Sequence, residues 1–183
     1  MKIYYSSLHA IQQQTLALFH EQCRHCQQSH HLISHGFVYK KRSATEPKQP
    51  VGKRVFCSDR HGHAGCGRTM QLYLDTTIRY LHYTGWCVVV FVLALLTGVA
   101  VQQAYEQATG TAEPRHAYRW LNKLFAQLSE YRRGAPSPRL AHVETASPSP
   151  RRSLLAATFT ALVAHFGHPL CAGYQQSLQR SFL

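Results

Sequence analysis

The chain of 183 residues has few acidic side chains, with 8 Asp and Glu against 20 Lys and Arg. A two-metal nuclease or transposase core needs several converging carboxylates to hold its cations, and the acidic residues here are scattered along the chain. We therefore expect no catalytic core of that kind. The formal net charge of +12 and the pI near 9.8 favour a polyanionic partner, either nucleic acid or an anionic membrane surface.

Export signals are also lacking, because residues 1–7 show no basic segment followed by an apolar one. This predicts a cytoplasmic protein, which the basic charge would place near the nucleoid of a bacterial cell. In a reducing compartment, paired cysteines are better interpreted as metal ligands than as disulfides.

Long apolar segments are scarce. The longest, WCVVVFVLALLTGVAV at 86–101, falls short of the roughly 20 apolar residues that a membrane-spanning helix needs. We interpret it as a buried helix and consider membrane binding the less favoured alternative, in which residues 86–101 would anchor a small membrane-associated protein.

The order of patterns along the chain predicts an α+β fold. The spacing of Leu8, Ile11, Leu16 and Phe19 indicates a helix over 8–22. Three short β-branched or aromatic segments between 31 and 75, separated by turns rich in Gly and Pro, predict a small three-stranded sheet. The predicted parts are an N-terminal helix with a zinc ribbon, a helix-turn-helix, a basic Pro/Ser linker and a C-terminal helical tail, at 1–76, 77–133, 134–152 and 153–183. The tail is expected either to pack on the rest of the chain or to form a homodimer contact.

Four of the six cysteines form two pairs that predict a structural zinc site. Cys23 and Cys26 are spaced as CxxC, and Cys57 and Cys66 would supply the second pair. Thiolates bind Zn²⁺ tetrahedrally, and four of them close the site to water. Whether His61 or His63 replaces Cys66 stays open at this point, and the other two cysteines are expected to be ordinary buried residues.

The sequence HGH at 61–63 offers an alternative function. Two histidines close together can bind a divalent cation in a metal-dependent DNA-nicking enzyme, with Tyr83 or Tyr174 as the nucleophile. The glycine between them and their place in a Gly-rich loop argue against this interpretation.

A helix over 99–109, a break at 110–114 and a longer helix over 115–128 have the plan of a helix-turn-helix, whose second helix enters the major groove. Trp120 and Leu121 are expected to anchor this second helix. Its apolar side is predicted to consist of Tyr118, Leu121, Leu124, Phe125 and Leu128. Its exposed side is predicted to offer Glu113, Arg115, His116, Arg119 and Lys123, because Arg can read guanine and Lys pairs with phosphate.

Other cations are expected to add contacts to the DNA. Phosphate contacts are predicted for Lys40, Lys41, Arg42, Lys53 and Arg54. The Ser-Pro-Arg segments of the linker, with Arg151 and Arg152, resemble segments that lie in the minor groove of AT-rich DNA, but a solvated flexible linker is the favoured interpretation.

The residues CGRT at 66–69 and AYRWL at 117–121, together with the paired cysteines, carry a resemblance. Over about 23–131 the chain resembles the DNA-binding front half of insertion-element transposases and related small mobile-element proteins, without their catalytic domain. The resemblance implies recognition of double-stranded DNA without strand cleavage. It implies a non-enzymatic accessory or regulatory factor that acts with a separately encoded recombinase or transposase.

Overall fold

The computed structural model describes residues 2–41, 45–135 and 150–183, which form an α+β fold. The strands are β1 (Tyr4–Tyr5), β2 (Leu32–Lys40), β3 (Gln49–Cys57) and β4 (Thr69–Leu74). The helices are α1 (Leu8–Leu16), α2 (Gly85–Leu96), α3 (Val101–Thr109), α4 (Pro114–Gly134), α5 (Pro150–Phe166) and α6 (Leu170–Leu178). The described residues up to 76 are called the ribbon unit below, and the described residues from 77 onward the helical unit.

The sheet is mixed and has the strand order β1-β4-β3-β2. The strands β2, β3 and β4, which lie within the three predicted segments, pair in antiparallel fashion. The prediction of only three strands is wrong, because β1 pairs in parallel with β4, placing Tyr4 opposite Tyr73. A strand of two residues is too short to show the alternation by which strands are identified.

Helix α1 covers one face of the sheet. It begins where the hydroxyl of Ser7 accepts a hydrogen bond from the backbone N–H of Ala10 at 3.1 Å. It buries Ile11 in a small core with Val55 and Leu72. The predicted helix over 8–22 ends early, at 16, and a 3-10 turn follows at Leu18–His20.

The early end of α1 explains why its predicted apolar face is partly wrong. Leu16 is 78% exposed and Phe19 is 55% exposed. Phe19 belongs to the 3-10 turn, to which the helical period of 3.6 does not apply. Leu18 is buried in its place and joins the small core under the sheet.

The helical unit packs around the apolar helix α2. Phe91 of α2 contacts Trp120 of α4, with ring centroids 5.6 Å apart, and Trp120 also contacts Tyr105 of α3 at 5.0 Å. Trp120 therefore anchors α4 as predicted. The predicted apolar side of α4 is wrong at Tyr118, which is 49% exposed, because the buried stripe is centred on Trp120 and Leu124.

The C-terminal helices pack into the same core as α2 and α4. The ring of Phe182 lies 5.0 Å from that of Tyr131 and 5.3 Å from that of Tyr174. The amide of Gln179 reaches the ribbon unit, where its oxygen accepts hydrogen bonds from the backbone of Ile3 at 2.8 Å and Tyr4 at 3.1 Å. The tail therefore packs on the rest of its own chain, which is one of its two predicted roles. Its contacts across the two units are called the clasp below.

Buried Gln175 adds to this clasp. Its amide nitrogen donates to the carbonyls of Asp75 and Thr77, and its oxygen accepts from the backbone N–H of Phe182 at 2.9 Å. One side chain thus satisfies three buried backbone groups at the junction of the two units.

No single helix in the described ranges is both long and apolar enough to cross a membrane. The apolar helix α2 is short and mostly buried, as predicted. Helices α5 and α6 reach the necessary length only as a pair, and this pair is bent by 69°.

Candidate metal centre and basic surfaces

The four predicted cysteine ligands converge at one end of the sheet. Cys23 and Cys26 lie in the turn before β2, Cys57 ends β3, and Cys66 lies in the loop before β4. The sulfur of Cys23 is 3.8 Å from that of Cys66, the sulfur of Cys26 is 3.7 Å from that of Cys57, and all four lie within 4.8 Å of one another. Such a cluster can hold a metal ion.

The backbone around the cluster is arranged for thiolates. The N–H of His25 donates to the sulfur of Cys23 at 3.4 Å, and the N–H of Cys66 donates to the sulfur of Cys57 at 3.3 Å. Hydrogen bonds of this kind stabilise the negative charge that a metal-binding sulfur carries.

Two glycines allow the second turn to approach the sulfurs so closely. A Cβ atom on Gly65 would lie 2.7 Å from the sulfur of Cys57 and 2.3 Å from the carbonyl oxygen of Ser58. Gly67, directly after Cys66, has a φ of 68°, a conformation that residues with a side chain rarely adopt. The sequence CGR therefore reflects a backbone requirement of this turn.

Without a cation, Cys23 and Cys57 of this cluster differ in the pKa of their thiols. Burial raises the pKa of the Cys57 thiol to about 12. Burial acts in the same direction on Cys23, but hydrogen bonds from the backbone of Cys26 and His25 outweigh it and lower the pKa of that thiol to about 7. A bound cation favours the thiolate form of all four, so metal binding and proton release are coupled.

The histidines of HGH lie outside the cluster, which contains Cys66 as its fourth member. His61 is exposed, and the ring of His63 packs against that of His31, with centroids 5.7 Å apart. Of the two tyrosines considered for a nicking enzyme, Tyr174 is buried in the helical unit, and Tyr83 shares a hydrogen bond with Thr111 at 3.2 Å. Within the described residues, no hydrogen bond or ring contact joins either tyrosine to the two histidines.

A basic stripe runs along the exposed side of α4. Arg115, Arg119 and Asn122 are exposed, and Lys123 is half-buried beside them. Residues three or four positions apart in a helix are neighbours on its surface, so these side chains form one row, and Tyr118 lies within it. Glu113 is exposed just before the helix begins.

His116 lies apart from this row. It is half-buried, its ring centroid is 6.4 Å from that of Tyr105, and it lines a cleft between the helical unit and the end of β2.

The predicted phosphate contacts of the ribbon unit occupy different positions. Arg54 is exposed, Lys41 is half-buried, and the Nζ of Lys53 lies 5.2 Å above the ring of Phe37. Arg42 lies outside the described residues.

Lys40 has an internal role. Its ammonium group donates hydrogen bonds to the carbonyls of Ile78 and Leu81, and burial lowers its pKa to about 8. It connects the end of β2 to the segment before α2, so we leave it out of the DNA surface proposed below.

Most of the predicted linker, 136–149, lies outside the described residues. Arg151 and Arg152, which the prediction placed in the linker, are in the first turn of α5, which begins at Pro150. Proline favours the first turn of a helix, and this preference is the signal that sequence reasoning missed.

Sequence reasoning also missed a group of residues around the cleft that His116 lines. Tyr39, Lys48 and His82 border it together with Lys41. These residues come from separate segments, so no local pattern joins them.

Comparison of the chain with protein-family models, curated proteins and solved structures gives no match.

Proposed function

We propose that this protein is a sequence-specific duplex DNA-binding factor that reads its site through α4. The row of Arg115, Tyr118, Arg119 and Lys123 on the exposed side of this helix carries the proposal. Arginine can donate two hydrogen bonds to guanine in the major groove, and lysine pairs with phosphate. The opposite side of α4 is held in the core by Trp120, so the row has a fixed orientation.

The segments around α4 support a helix-turn-helix interpretation. Helix α3 ends at Thr109, the following Gly110 has a φ of 73°, and the four residues 110–113 separate α3 from α4. A turn of this length containing glycine is typical of the motif. In it, α3 would cross the DNA backbone and the first turns of α4 would lie in the major groove.

We infer that the cysteine cluster binds structural Zn²⁺. A Zn–S bond of about 2.3 Å places the sulfurs of a tetrahedral site about 3.8 Å apart, which agrees with the two short separations of 3.7 and 3.8 Å. Four sulfur ligands fill the coordination sphere, so the ion would brace the ribbon unit and would have no position for a substrate. Metal analysis of the purified protein would test this, with about one zinc per chain expected.

The wider role rests on the resemblance carried by CGRT and AYRWL. A protein that recognises DNA and has few carboxylates fits an accessory or regulatory factor of a mobile element. Strand cleavage would come from a separately encoded recombinase or transposase.

The test is the affinity for duplex fragments from the neighbourhood of the protein's own gene, measured in rising salt with competitor DNA. Removing Arg119 in an Arg119→Ala variant should weaken binding to the preferred fragment about tenfold or more and reduce the preference over competitor, since a bidentate contact contributes about 1–3 kcal/mol. Lys123→Ala should weaken binding to all fragments about equally and reduce the dependence on salt.

The matched control is Arg180→Ala, which removes the same charge from an exposed arginine next to Glu130, at the other end of α4. Equal effects of Arg119→Ala and Arg180→Ala would show that only net charge matters and would contradict recognition by α4. Binding that shows no preference for any fragment would contradict sequence specificity.

A further inference from the structure

Two aromatic side chains of β2 are exposed in the part of the sheet that lies outside the main core of the ribbon unit. Phe37 is 37% exposed and Tyr39 is 54% exposed, and their ring centroids are 6.2 Å apart. The pairing of β2 with β3 is irregular between Val38 and Tyr39, but the buried Val38 between the two rings and their short separation place both rings on one face of the sheet. The Nζ of Lys53 lies 5.2 Å above the ring of Phe37. This surface therefore combines exposed rings with a cation, although burying such rings would ordinarily stabilise a fold.

Tyr39 also borders the cleft between the ribbon unit and the helical unit. This cleft has a volume of about 510 Å³. Lys41 and Lys48 line it from the ribbon unit, and His82 and His116 line it from the helical unit. Its only acidic lining residue among those described is Glu113.

The combination of rings and cations selects the chemistry of a ligand. A base can stack on an exposed aromatic ring, and lysines that line a groove attract the phosphates between bases. The volume is that of a small-ligand site, which admits unpaired nucleotides and is too confined for a duplex. A protein or lipid partner without anions would offer no charge to match the exposed Lys48.

We propose that the cleft and the adjoining rings of Phe37 and Tyr39, called the aromatic cleft below, bind unpaired nucleotides of a single-stranded nucleic acid. One base stacks on the exposed ring of Tyr39, and the neighbouring phosphates meet Lys41 and Lys48. This site is separate from the row on α4, and it does not depend on duplex binding by that helix.

The experiment compares two labelled probes of equal length, oligothymidylate and an oligonucleotide that consists of abasic sites. Both carry the same phosphates, so a difference in affinity measures the bases alone. The intact protein should bind oligothymidylate roughly tenfold more tightly, because its bases can stack on an aromatic ring and abasic sites cannot. Equal affinity for the two probes would overturn the proposal.

The variants locate the effect. Tyr39→Ala should remove the preference for oligothymidylate, and Tyr39→Phe should keep it, because both tyrosine and phenylalanine present an aromatic face. Lys48→Ala should weaken the binding of both probes by the same factor. A Tyr39→Ala variant that keeps the full preference would place the bases elsewhere and overturn the proposal.

The variants at Tyr39 and Lys48 change exposed side chains, and the metal content and helicity of each would confirm that it is folded. The variant Arg119→Ala separates the two proposals. It should reduce the affinity for duplex DNA and leave the oligothymidylate preference unchanged. If the intact protein prefers no duplex fragment but still prefers oligothymidylate, the role of α4 is rejected and the aromatic cleft is retained.

Discussion

The ribbon unit and the helical unit differ in how much apolar surface they bury. The main core under the sheet contains nine buried residues, and Cys23 and Cys57 of the metal cluster are two of them. The core of the helical unit contains 24 buried residues from all five helices α2 to α6 and the segments beside them. A small core rarely stabilises a fold alone, and a metal ion is a common substitute. The comparison therefore favours different sources of stability for the two units, namely apolar packing in the helical unit and the proposed zinc ion in the ribbon unit.

The largest expected effect is the loss of one metal ligand from the ribbon unit. In a Cys57→Ser variant we expect the metal content to fall well below one ion per chain. Because structural zinc contributes about 10–16 kcal/mol in small zinc-binding peptides, β3 and β4 should lose their protection from hydrogen exchange. The amides of α2 and α4 should keep theirs. Hydrogen exchange and metal analysis on the same sample measure both quantities.

The matched control for that ligand is Cys87→Ser, since Cys87 is also buried but belongs to the helical unit. It should keep one metal ion per chain. A Cys57→Ser variant that retains its metal and its protected strands would remove the difference between the units.

The next largest effect is expected in the helical core. Trp120→Ala should lower the free energy of unfolding by about 3–5 kcal/mol, because it leaves a cavity among Phe91, Tyr105 and the apolar side of α4. Denaturant titration followed by helix content measures this loss. Tyr118→Ala, two positions earlier and half exposed, should change it by no more than about 0.5 kcal/mol. Similar losses in both variants would contradict the assignment of the buried side of α4.

A smaller effect is expected at the junction. Gln175→Met keeps most of the side-chain volume but leaves the carbonyls of Asp75 and Thr77 and the N–H of Phe182 without this partner. We expect a loss of about 2–3 kcal/mol. We also expect the two units to unfold at different denaturant concentrations, as monitored by hydrogen exchange.

The neighbouring variant Gln176→Met is the control, because Gln176 is exposed and its side chain donates to the carboxylate of Asp75 and not to a buried backbone group. If Gln175→Met still unfolds in a single transition, the two units are coupled by other contacts.

The smallest effect concerns pH. Burial raises the pKa of Asp75 above its ordinary value of 3.8, in spite of hydrogen bonds that act the other way. The folded protein then binds more protons than the unfolded chain between the two pKa values, so stability falls as the pH rises through that window. Asp75→Asn should flatten this part of the stability profile. An unchanged slope in that variant would assign the dependence to another group.

The parts of the site that sequence analysis predicted are those with local patterns. The pair Cys23 and Cys26 needs no knowledge of the fold, since its spacing already matches a metal-binding turn. The long helix α4 follows from the period of its apolar residues, although it begins at Pro114, which was predicted to lie in the break, and ends at Gly134, later than the predicted 128. The buried side of α4 was predicted wrongly at Tyr118, because an aromatic side chain with a polar hydroxyl suits a buried or an exposed position.

The parts that could not be predicted depend on contacts between distant segments. Tyr39 and His82 meet at one cleft only because β2 ends next to the helical unit. Buried Gln175 looks like a surface residue in the sequence, because glutamine is usually exposed and only its three partners make its burial favourable. The strand β1 contains only two residues and forms because β4 offers an edge.

The clasp formed by Gln179 also bears on how fast the protein can fold. Its hydrogen bond to Ile3 joins residues 176 positions apart in the chain. Contacts between such distant residues form slowly, because the entropy of closing a long loop is lost before the contact contributes any stabilisation. The cysteine turn and the row on α4 can therefore take shape from local interactions first. The contact of Gln179 with the N-terminal strand would then form late, after the aromatic cleft, whose lining residues lie closer together in the chain.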